Sequence, residues 1–491
     1  MRRLSATLIV AAALAAAGCG GGGGGGGSLP DGAKLAPSSS IAFVSANTDF
    51  SSDQWKHVVE LSSHFPGTPD LIAQFKKETG LGLDDVKPAL GPEVDLVLVD
   101  ARNNGDDLVV LTKPESREKL ETLLEKGRSE GEPKPVIIEV LDWVAISDSK
   151  PLLDRFKTAA LNEKPLSDDD EFTKAFEKLD AESSVRAWIK GDFVQSALDS
   201  GLAESGAPPR LTHDLGDLKA IVGGAKAESD GAGVELDGLI DPTPDPATFS
   251  PSLPDDIPTG ALLYVSTTHL DAPLRTILRL VGKSVPNFNT QLSQVEGVLG
   301  LTLEKDIYPL LQGEDAVAIY QGTGTIPRVL FVQKVDDEGK ASALLKRFGA
   351  LAQLGGSVRV ETVQLAGESV QKLTFPGTTP VSIFDGTANG KLFVTNAESL
   401  AEETIKGPAD SLGDDPLYRS TRDAAGLPDK VAAFAYSDLQ DGLPLVLRLA
   451  QQSGNVVPPE AFANVKPLRG ALGYLVKDGD ALRISGFQTI K

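Results

Sequence analysis

The apolar residues of this chain change their spacing many times along its length. Residues 41–46, 94–99, 108–112 and 144–147 are alternating or continuous apolar runs rich in Val, Ile and Leu, a pattern that is typical of β-strands. Residues 115–126, 171–178 and 340–349 instead place apolar side chains three and four positions apart, which predicts amphipathic helices.

Turn-forming dipeptides separate several of the predicted strands. An Asn or Asp followed by Gly favours a two-residue hairpin, because both positions of that turn tolerate positive φ angles. The sequence has such pairs at Asn104-Gly105, Asp230-Gly231, Asp385-Gly386, Asn389-Gly390 and Asp478-Gly479. Strands joined in this way run antiparallel, so we expect largely antiparallel sheets.

The order of elements occurs twice along the chain. "PSSSIAFVSANTD" at 37–49 corresponds to "PTGALLYVSTTHL" at 258–270, and six further segments correspond in the same order up to 218–240 and 468–490. A repeat of this length indicates an internal duplication. We expect an α+β fold made of two tandem copies of one domain, each a largely antiparallel curved sheet with helices packed on it.

This repeat divides the chain into five segments. We expect a lipoprotein signal peptide at 1–18, a glycine-rich tether at 19–34, a first repeat domain at 35–240, a proline-rich linker at 241–256 and a second repeat domain at 257–491. Proline and glycine mark such boundaries because they interrupt regular structure.

The N-terminal segment has the layout of an export signal. Arg2 and Arg3 precede an almost wholly apolar stretch at 4–17, which is too short to span a bilayer. Cys19 follows small residues and resembles the modified cysteine of a bacterial lipobox, although Ala16 stands where leucine is preferred. We expect a diacylglyceryl anchor on Cys19; the alternative is that Cys19 is a bystander in an ordinary signal peptide.

The residues after Cys19 fit a tether. Gly20 to Gly27 have no side chains to pack, and a glycine-rich coil of about 15 residues reaches roughly 20 Å. Two acyl chains hold a protein stably at a membrane where one does not. We therefore expect an extracytoplasmic protein that is lipid-anchored to the cell membrane.

The charge and the cysteine content of the chain exclude some classes of partner and site. The 491 residues include 47 Lys and Arg against 69 Asp and Glu, giving a formal net charge of -22. Such an acidic chain repels nucleic acid, so we expect no nucleic-acid partner. Cys19 is the only cysteine, which leaves no disulfide and no thiolate metal site.

Catalytic signatures are few. His57, Glu60 and His64 share one face of a predicted helix and could hold a divalent ion, but ligands two turns apart lie about 10 Å apart. Ser147 and Lys150 match a serine–lysine pair without its companion motifs. Ser147, Asp148, Ser149 and Pro151 at a strand-to-helix junction instead favour a helix cap with proline in the first turn. We expect no cofactor, no metal and no enzymatic activity.

Acidic clusters and aromatic residues keep two alternatives open. The clusters precede predicted helices, where carboxylates cap free amides; weak calcium binding or carboxylate catalysis at 168–171 is the alternative. The aromatic residues belong to the core or line an apolar cavity beneath a curled sheet. They are Trp55, Trp143, Trp188, Phe65, Phe75 and Phe193.

These segments resemble a known family. The residues that carry the resemblance are Pro37 with Phe43 and Val44, Gln54 with Trp55, His64 with Phe65 and Pro66, and Leu90 with Gly91. They are similar to the bacterial family of domains of unknown function numbered 3352. The resemblance implies an exported or membrane-linked protein, and it brings no activity or site residues.

Together these features predict an envelope lipoprotein without enzymatic activity. Its partners are the membrane, through the anchor on Cys19, and either another envelope protein or a lipid. One alternative is a carrier or sensor that holds an amphiphile in an apolar groove; the other is a hydrolase of envelope polymers.

Overall fold

The computed structural model describes residues 28–100, 107–128, 134–204, 212–213, 216–322, 324, 326–354, 356, 358–377 and 380–491. Within these residues the chain has an α+β fold with one large antiparallel sheet. No helix in these ranges combines the length and the apolar character needed to cross a membrane.

Eighteen strands form the sheet. They are β1 (Ala42–Asn47), β2 (Glu93–Asp100), β3 (Asp107–Thr112), β4 (Val136–Val140), β5 (Trp143–Ser147), β6 (Val185–Lys190), β7 (Asp217–Glu228), β8 (Gly231–Asp241), β9 (Ala261–Thr268), β10 (Glu314–Tyr320), β11 (Arg328–Lys334), β12 (Arg359–Leu365), β13 (Glu368–Phe375), β14 (Val381–Ala388), β15 (Lys391–Thr395), β16 (Ala433–Asp438), β17 (Leu468–Asp478) and β18 (Ala481–Ile490).

The helices lie between these strands. They are α1 (Asp53–Ser63), α2 (Thr68–Thr79), α3 (Leu83–Leu90), α4 (Arg117–Lys126), α5 (Lys150–Asn162), α6 (Asp170–Phe176), α7 (Gly191–Glu204), α8 (Asp271–Ser284), α9 (Phe288–Leu299), α10 (Glu338–Leu354), α11 (Glu398–Lys406), α12 (Pro416–Ala424), α13 (Leu439–Gln452) and α14 (Pro459–Val465). Short 3-10 helices at Asp31–Lys34 and Leu253–Asp255 precede β1 and β9.

The strand order is the same in the two halves of the chain. In the first half the paired order is β4-β5-β3-β2-β1-β6-β7-β8. In the second half it is β14-β15-β11-β10-β9-β16-β17-β18, with β13 and β12 added beyond β14. Every one of these pairs is antiparallel, as the turn residues predicted.

The two halves share one sheet, whereas the sequence predicted a separate sheet for each copy. β8 pairs with β18 along nine residue pairs, from Leu239 opposite Ala481 to Gly231 opposite Thr489. Each strand is the last of its half, so the pairing covers two edges that would otherwise expose unpaired backbone groups.

One face of the sheet is covered by two aromatic-rich cores. In the first half, Phe172 of α6 packs edge-on against Phe43 and Trp188, with ring centroids 5.7 and 5.5 Å away. In the second half, Tyr418 of α12 packs edge-on against Tyr436 at 5.1 Å. Helices therefore pack against this face in both halves, as predicted.

The opposite face is covered only in places. Leu120 and Leu123 of α4 pack with Val94 and Val110 of the first half, and Ala341 of α10 packs with Leu392 of the second. On this face α4 therefore covers part of β2 and β3, and α10 covers part of β15.

Hairpins are present at three of the predicted pairs, but the turn residues are the predicted ones at only one of these three. Ser229 and Asp230 form the turn between β7 and β8, and Gly479 and Asp480 form the turn between β17 and β18, each one residue away from the predicted pair. Asn389 and Gly390 turn between β14 and β15 with φ angles of 53° and 73°. Asp385-Gly386 is wrong as a turn, because both residues lie inside β14. A Cβ on Gly386 would lie 2.9 Å from Phe393 Cζ, so glycine is needed there for close packing. Asn104-Gly105 lies outside the described residues.

Candidate functional site

Cys19, the residue predicted to carry the lipid, lies outside the described residues. The predictions of a signal peptide, a tether and an anchor therefore stay predictions.

The histidines considered as metal ligands have another environment. His57 of α1 lies against the sheet, with Nδ1 3.2 Å from the carbonyl oxygen of Ala227. His64 stands at the C-terminal end of the same helix, where its backbone N–H donates to Leu61 O. Among the residues that the structure places, no group of three or more His, Cys, Asp and Glu side chains could hold a metal ion.

The acidic clusters cap helices, as predicted. Asp169 accepts a hydrogen bond from Phe172 N at 2.9 Å at the start of α6. Asp415 accepts from Leu417 N and Tyr418 N at the start of α12. A carboxylate at a helix N-terminus satisfies free amides and complements the helix dipole.

The serine–lysine pair is part of a helix start. Ser149 accepts a hydrogen bond from Leu152 N at 3.3 Å, and Pro151 occupies the first turn of α5. Lys150 forms an ion pair with Asp154 one turn further along the helix. The capping interpretation of this segment is confirmed.

The aromatic residues divide between core and surface. Trp55, Trp143 and Trp188 are buried, as the core interpretation predicts. Phe65 and Phe75 are half-buried. Phe193 of α7 is 36% exposed.

Two carboxyl groups of β8, those of Asp237 and Glu235, are buried, and Arg483 of β18 is partly buried beside them. Arg483 donates to both carboxylate oxygens of Asp237, from Nε at 2.9 Å and from Nη2 at 3.0 Å. Asp237 is fully buried. Glu235 is buried beside this pair and accepts a hydrogen bond from Asp180 N at 2.6 Å. The ion pair thus joins the two halves on the side of the sheet that carries the aromatic cores.

Burial raises the pKa of both carboxyl groups in this cluster. It raises the pKa of Asp237, while the Arg483 guanidinium opposes that rise. It also raises the pKa of Glu235, against the hydrogen bond from Asp180. Removal of one partner from a buried ion pair lowers the stability of the protein by more than the pair itself contributes, because the remaining charge is buried without compensation.

The same two strands expose aliphatic side chains on their other side. Leu236 lies opposite Ile484, Gly238 opposite Leu482 and Val234 opposite Gly486. Val234, Leu236 and Ile484 are 43, 44 and 47% exposed. We call these six residues the central apolar face.

This arrangement inverts the usual polarity of a strand. In most antiparallel sheets the face in contact with solvent carries polar side chains and the covered face carries apolar ones. Here the carboxyl groups of Asp237 and Glu235 are buried, while the side chains of Val234, Leu236 and Ile484 are nearly half exposed. We therefore take the central apolar face as the candidate site, because exposed apolar patches on proteins are often functional.

One end of the central apolar face is closed by a helix. Trp55, Val58 and Leu61 of α1 pack with Ala232 and Ile490, which continue the same side of β8 and β18 since side chains alternate along a strand.

The other end of the face is open. A Cβ placed on Gly238 would meet no atom within 4 Å. Lys477 of β17 lies opposite Leu482 at this end, and its Nζ is 3.1 Å from Asp245 Oδ1. A cation therefore stands where the aliphatic surface meets solvent.

Two further buried carboxyl groups lie away from this face. Asp95 of β2 is fully buried, and burial raises its pKa, with the nearby Glu93 carboxylate raising it further. Asp315 of β10 is 2% exposed, and burial raises its pKa to about 8. Each is enclosed in packed sheet, so we assign neither to the candidate site.

The central apolar face was not predicted from the sequence. Its signal is present in "GVELDGLI" at 233–240 and "ALRISGF" at 481–487, where apolar and polar residues alternate. Alternation identifies two faces of a strand. It does not identify which face is covered, and the usual assumption places the aliphatic side chains inside.

Comparison with known proteins gives a family match and a low-scoring structural alignment. Residues 126–472 match the model of a family described as "Protein of unknown function (DUF3352)". No curated protein matches the chain. A solved structure titled "Structure of crystal form III of TP0453" aligns over 50% of this chain and 79% of its own, with 10% identity and a TM-score of 0.25.

Proposed function

The chain belongs to the DUF3352 family of proteins of unknown function, and on that premise we propose that it is an extracytoplasmic lipoprotein that binds an envelope component and catalyses no reaction. A diacylglyceryl group on Cys19 holds it at the membrane. The observation that carries the binding role is the inverted polarity of β8 and β18, which leaves Val234, Leu236 and Ile484 exposed.

The exposed aliphatic groups give binding a driving force. Complete burial of one such side chain stabilises by about 1.5–3 kcal/mol. Each of the three is slightly less than half exposed, so covering all of them contributes roughly 2–4 kcal/mol. Exposure of these side chains does not stabilise the protein alone, whereas a partner that covers the face makes binding more favourable by this amount.

A second candidate function is the carrying or sensing of an amphiphile. The open space above Gly238 favours it, because an acyl chain can lie directly against the backbone there. Both candidate functions use the central apolar face, and in both the anchor on Cys19 holds the protein at the membrane.

Fractionation tests the anchor. The wild-type chain should sediment with membranes and carry the mass of a diacylglyceryl group, and Cys19→Ser should release it into the soluble fraction. Sedimentation of Cys19→Ser with membranes at the wild-type level would contradict the proposal.

Native purification tests the binding role. The wild-type chain should retain a protein or a lipid that Leu236→Gln loses. Val59→Gln is the matched control, since Val59 is 61% exposed on α1 and lies outside the central apolar face. Loss of the bound species from both variants, or from neither, would contradict a role for this face.

We also propose that residues 35–240 and 257–491 are two copies of one domain, joined by the linker at 241–256. The shared strand order supports the proposal. Two local contacts support it as well. Glu93 accepts from Gly32 N, and Glu314 accepts from Leu253 N, so each binds the 3-10 helix before the first strand.

The second contact involves a glycine before the second strand of each copy. A Cβ on Gly91 would lie 2.1 Å from Lys113 O, and a Cβ on Gly313 would lie 2.1 Å from Lys334 O. Both positions exclude every other residue for the same steric reason, and this is expected of copies of a single domain.

A further inference from the structure

We infer that the ligand of the central apolar face is an anionic amphiphile with a single acyl chain. The acyl chain lies along β8 and β18, and the acidic head lies at Lys477. This inference rests on the proposed binding role of the face and adds the class and the orientation of the ligand.

The central apolar face offers a ligand only aliphatic contacts. Its side chains are those of Val234, Leu236, Leu482 and Ile484, which have no hydrogen-bonding atoms. β8 is paired with β7 and β18, and β18 with β8 and β17. No strand edge is free at this site, so a peptide cannot bind here by adding a strand.

The length of the face suits an acyl chain. Val234 and Gly238 are four residues apart on β8, which corresponds to roughly 13 Å along the strand. Half of the hydrocarbon thickness of a bilayer is about 15 Å. The face therefore covers most of the length of one acyl chain of a membrane lipid.

The two ends of the face determine the direction in which an acyl chain lies. The packed α1 helix closes the face at Ala232 and Ile490. The opposite end is open at Gly238. An acyl chain therefore points its methyl end toward α1 and its head toward the open end.

The charge at the open end of the face indicates the head group of the ligand. The chain has a net charge of -22, yet Lys477 borders the open end beside Leu482. Its partner Asp245 is largely exposed, and such a surface pair contributes little because water screens it. A carboxylate or phosphate head can replace Asp245 at Lys477. This complementarity favours an acidic amphiphile over a neutral one.

The test measures displacement of a fluorescent fatty acid from the full chain carrying Cys19→Ser, so that the anchor itself cannot fill the face. Hexadecanoate and hexadecanol are the two competitors, because they share a chain length and differ in charge. The variants are Leu236→Gln, Lys477→Gln and Asp245→Asn. Lys340→Gln is the control, since Lys340 also pairs with an aspartate, at 3.3 Å from Asp337.

Three results are expected. Hexadecanoate displaces the probe at a concentration at least about tenfold lower than hexadecanol. Leu236→Gln weakens both competitors about tenfold, by the loss of aliphatic contact. Lys477→Gln removes the preference for hexadecanoate and leaves hexadecanol unchanged, Asp245→Asn increases the preference, and Lys340→Gln changes neither.

Other results overturn the inference. Equal displacement of the probe by the two competitors would contradict an acidic head group. An unchanged preference for hexadecanoate in Lys477→Gln would contradict the placement of that head group at Lys477. Absence of probe binding, together with a protein retained in native purification, would show that the occupant is a protein; the proposed binding function would then stand. Absence of any species on the native chain would instead overturn the proposed function.

Discussion

Replacement of Asp315 by Asn should stabilise the protein, and the gain should grow with pH. Asp315 lies in β10 between Thr267 and Gln333 on the neighbouring strands. Within the described part of the chain neither of its carboxyl oxygens has a hydrogen-bond partner. Burial raises its pKa from the usual 3.8 to about 8, with the neighbouring Glu314 carboxylate adding to the rise.

The size of the effect follows from proton linkage. Near neutral pH Asp315 is protonated in the folded chain and ionised in the unfolded chain, so unfolding releases a proton and stability falls as pH rises from about 4 to 8. A difference of one in pKa corresponds to about 1.4 kcal/mol. Keeping this carboxyl neutral at pH 7 therefore costs up to about 4 kcal/mol, and Asn avoids that cost because it has no charge to lose.

Urea denaturation at pH 4, 6 and 8 measures the difference. The free energy of unfolding of Asp315→Asn should match the wild type at pH 4 and exceed it increasingly at pH 6 and 8. Asp336→Asn, at an exposed position, is the control and should not differ between these pH values. A gain of equal size at pH 4 and pH 8, or no gain at pH 8, would refute the assignment of a neutral buried carboxyl.

Two further predictions concern packing and the junction of the two halves. Arg483→Met leaves the buried Asp237 carboxylate without its partner and should lower the free energy of unfolding by about 3–5 kcal/mol; addition of Asp237→Asn should restore most of this loss, and failure to do so would contradict the pairing. Gly313→Ala places a Cβ 2.1 Å from Lys334 O and should cost about 1–3 kcal/mol. Gly442→Ala in α13, where a Cβ meets no atom within 4 Å, should instead stabilise by up to about 1 kcal/mol, and similar effects in the two glycine variants would refute the steric argument.

Local signals predicted much of the fold. The apolar runs at 41–46 and 94–99 are β1 and β2, and the helical spacing at 115–126 became α4, Arg117–Lys126. Such segments are predictable because side-chain period depends only on neighbouring residues. Helix caps were predictable for the same reason, since Asp169 contacts an amide three residues away.

Long-range pairing was beyond local signals. The union of both halves in one sheet depends on residues hundreds of positions apart, such as Leu236 and Ile484. Asp385-Gly386 was mistaken for a turn because its dipeptide suits one, while the packing of Gly386 on Phe393 decided its place.

The sequence by itself determined that β8 and β18 are strands with one aliphatic and one polar side, because their residues alternate. Only the tertiary structure decided which side is covered. Asp237 and Arg483 are 246 residues apart, and the pairing of the two last strands brings them together. Their ion pair makes burial of the polar side tolerable, and Leu236 and Ile484 are then left facing solvent.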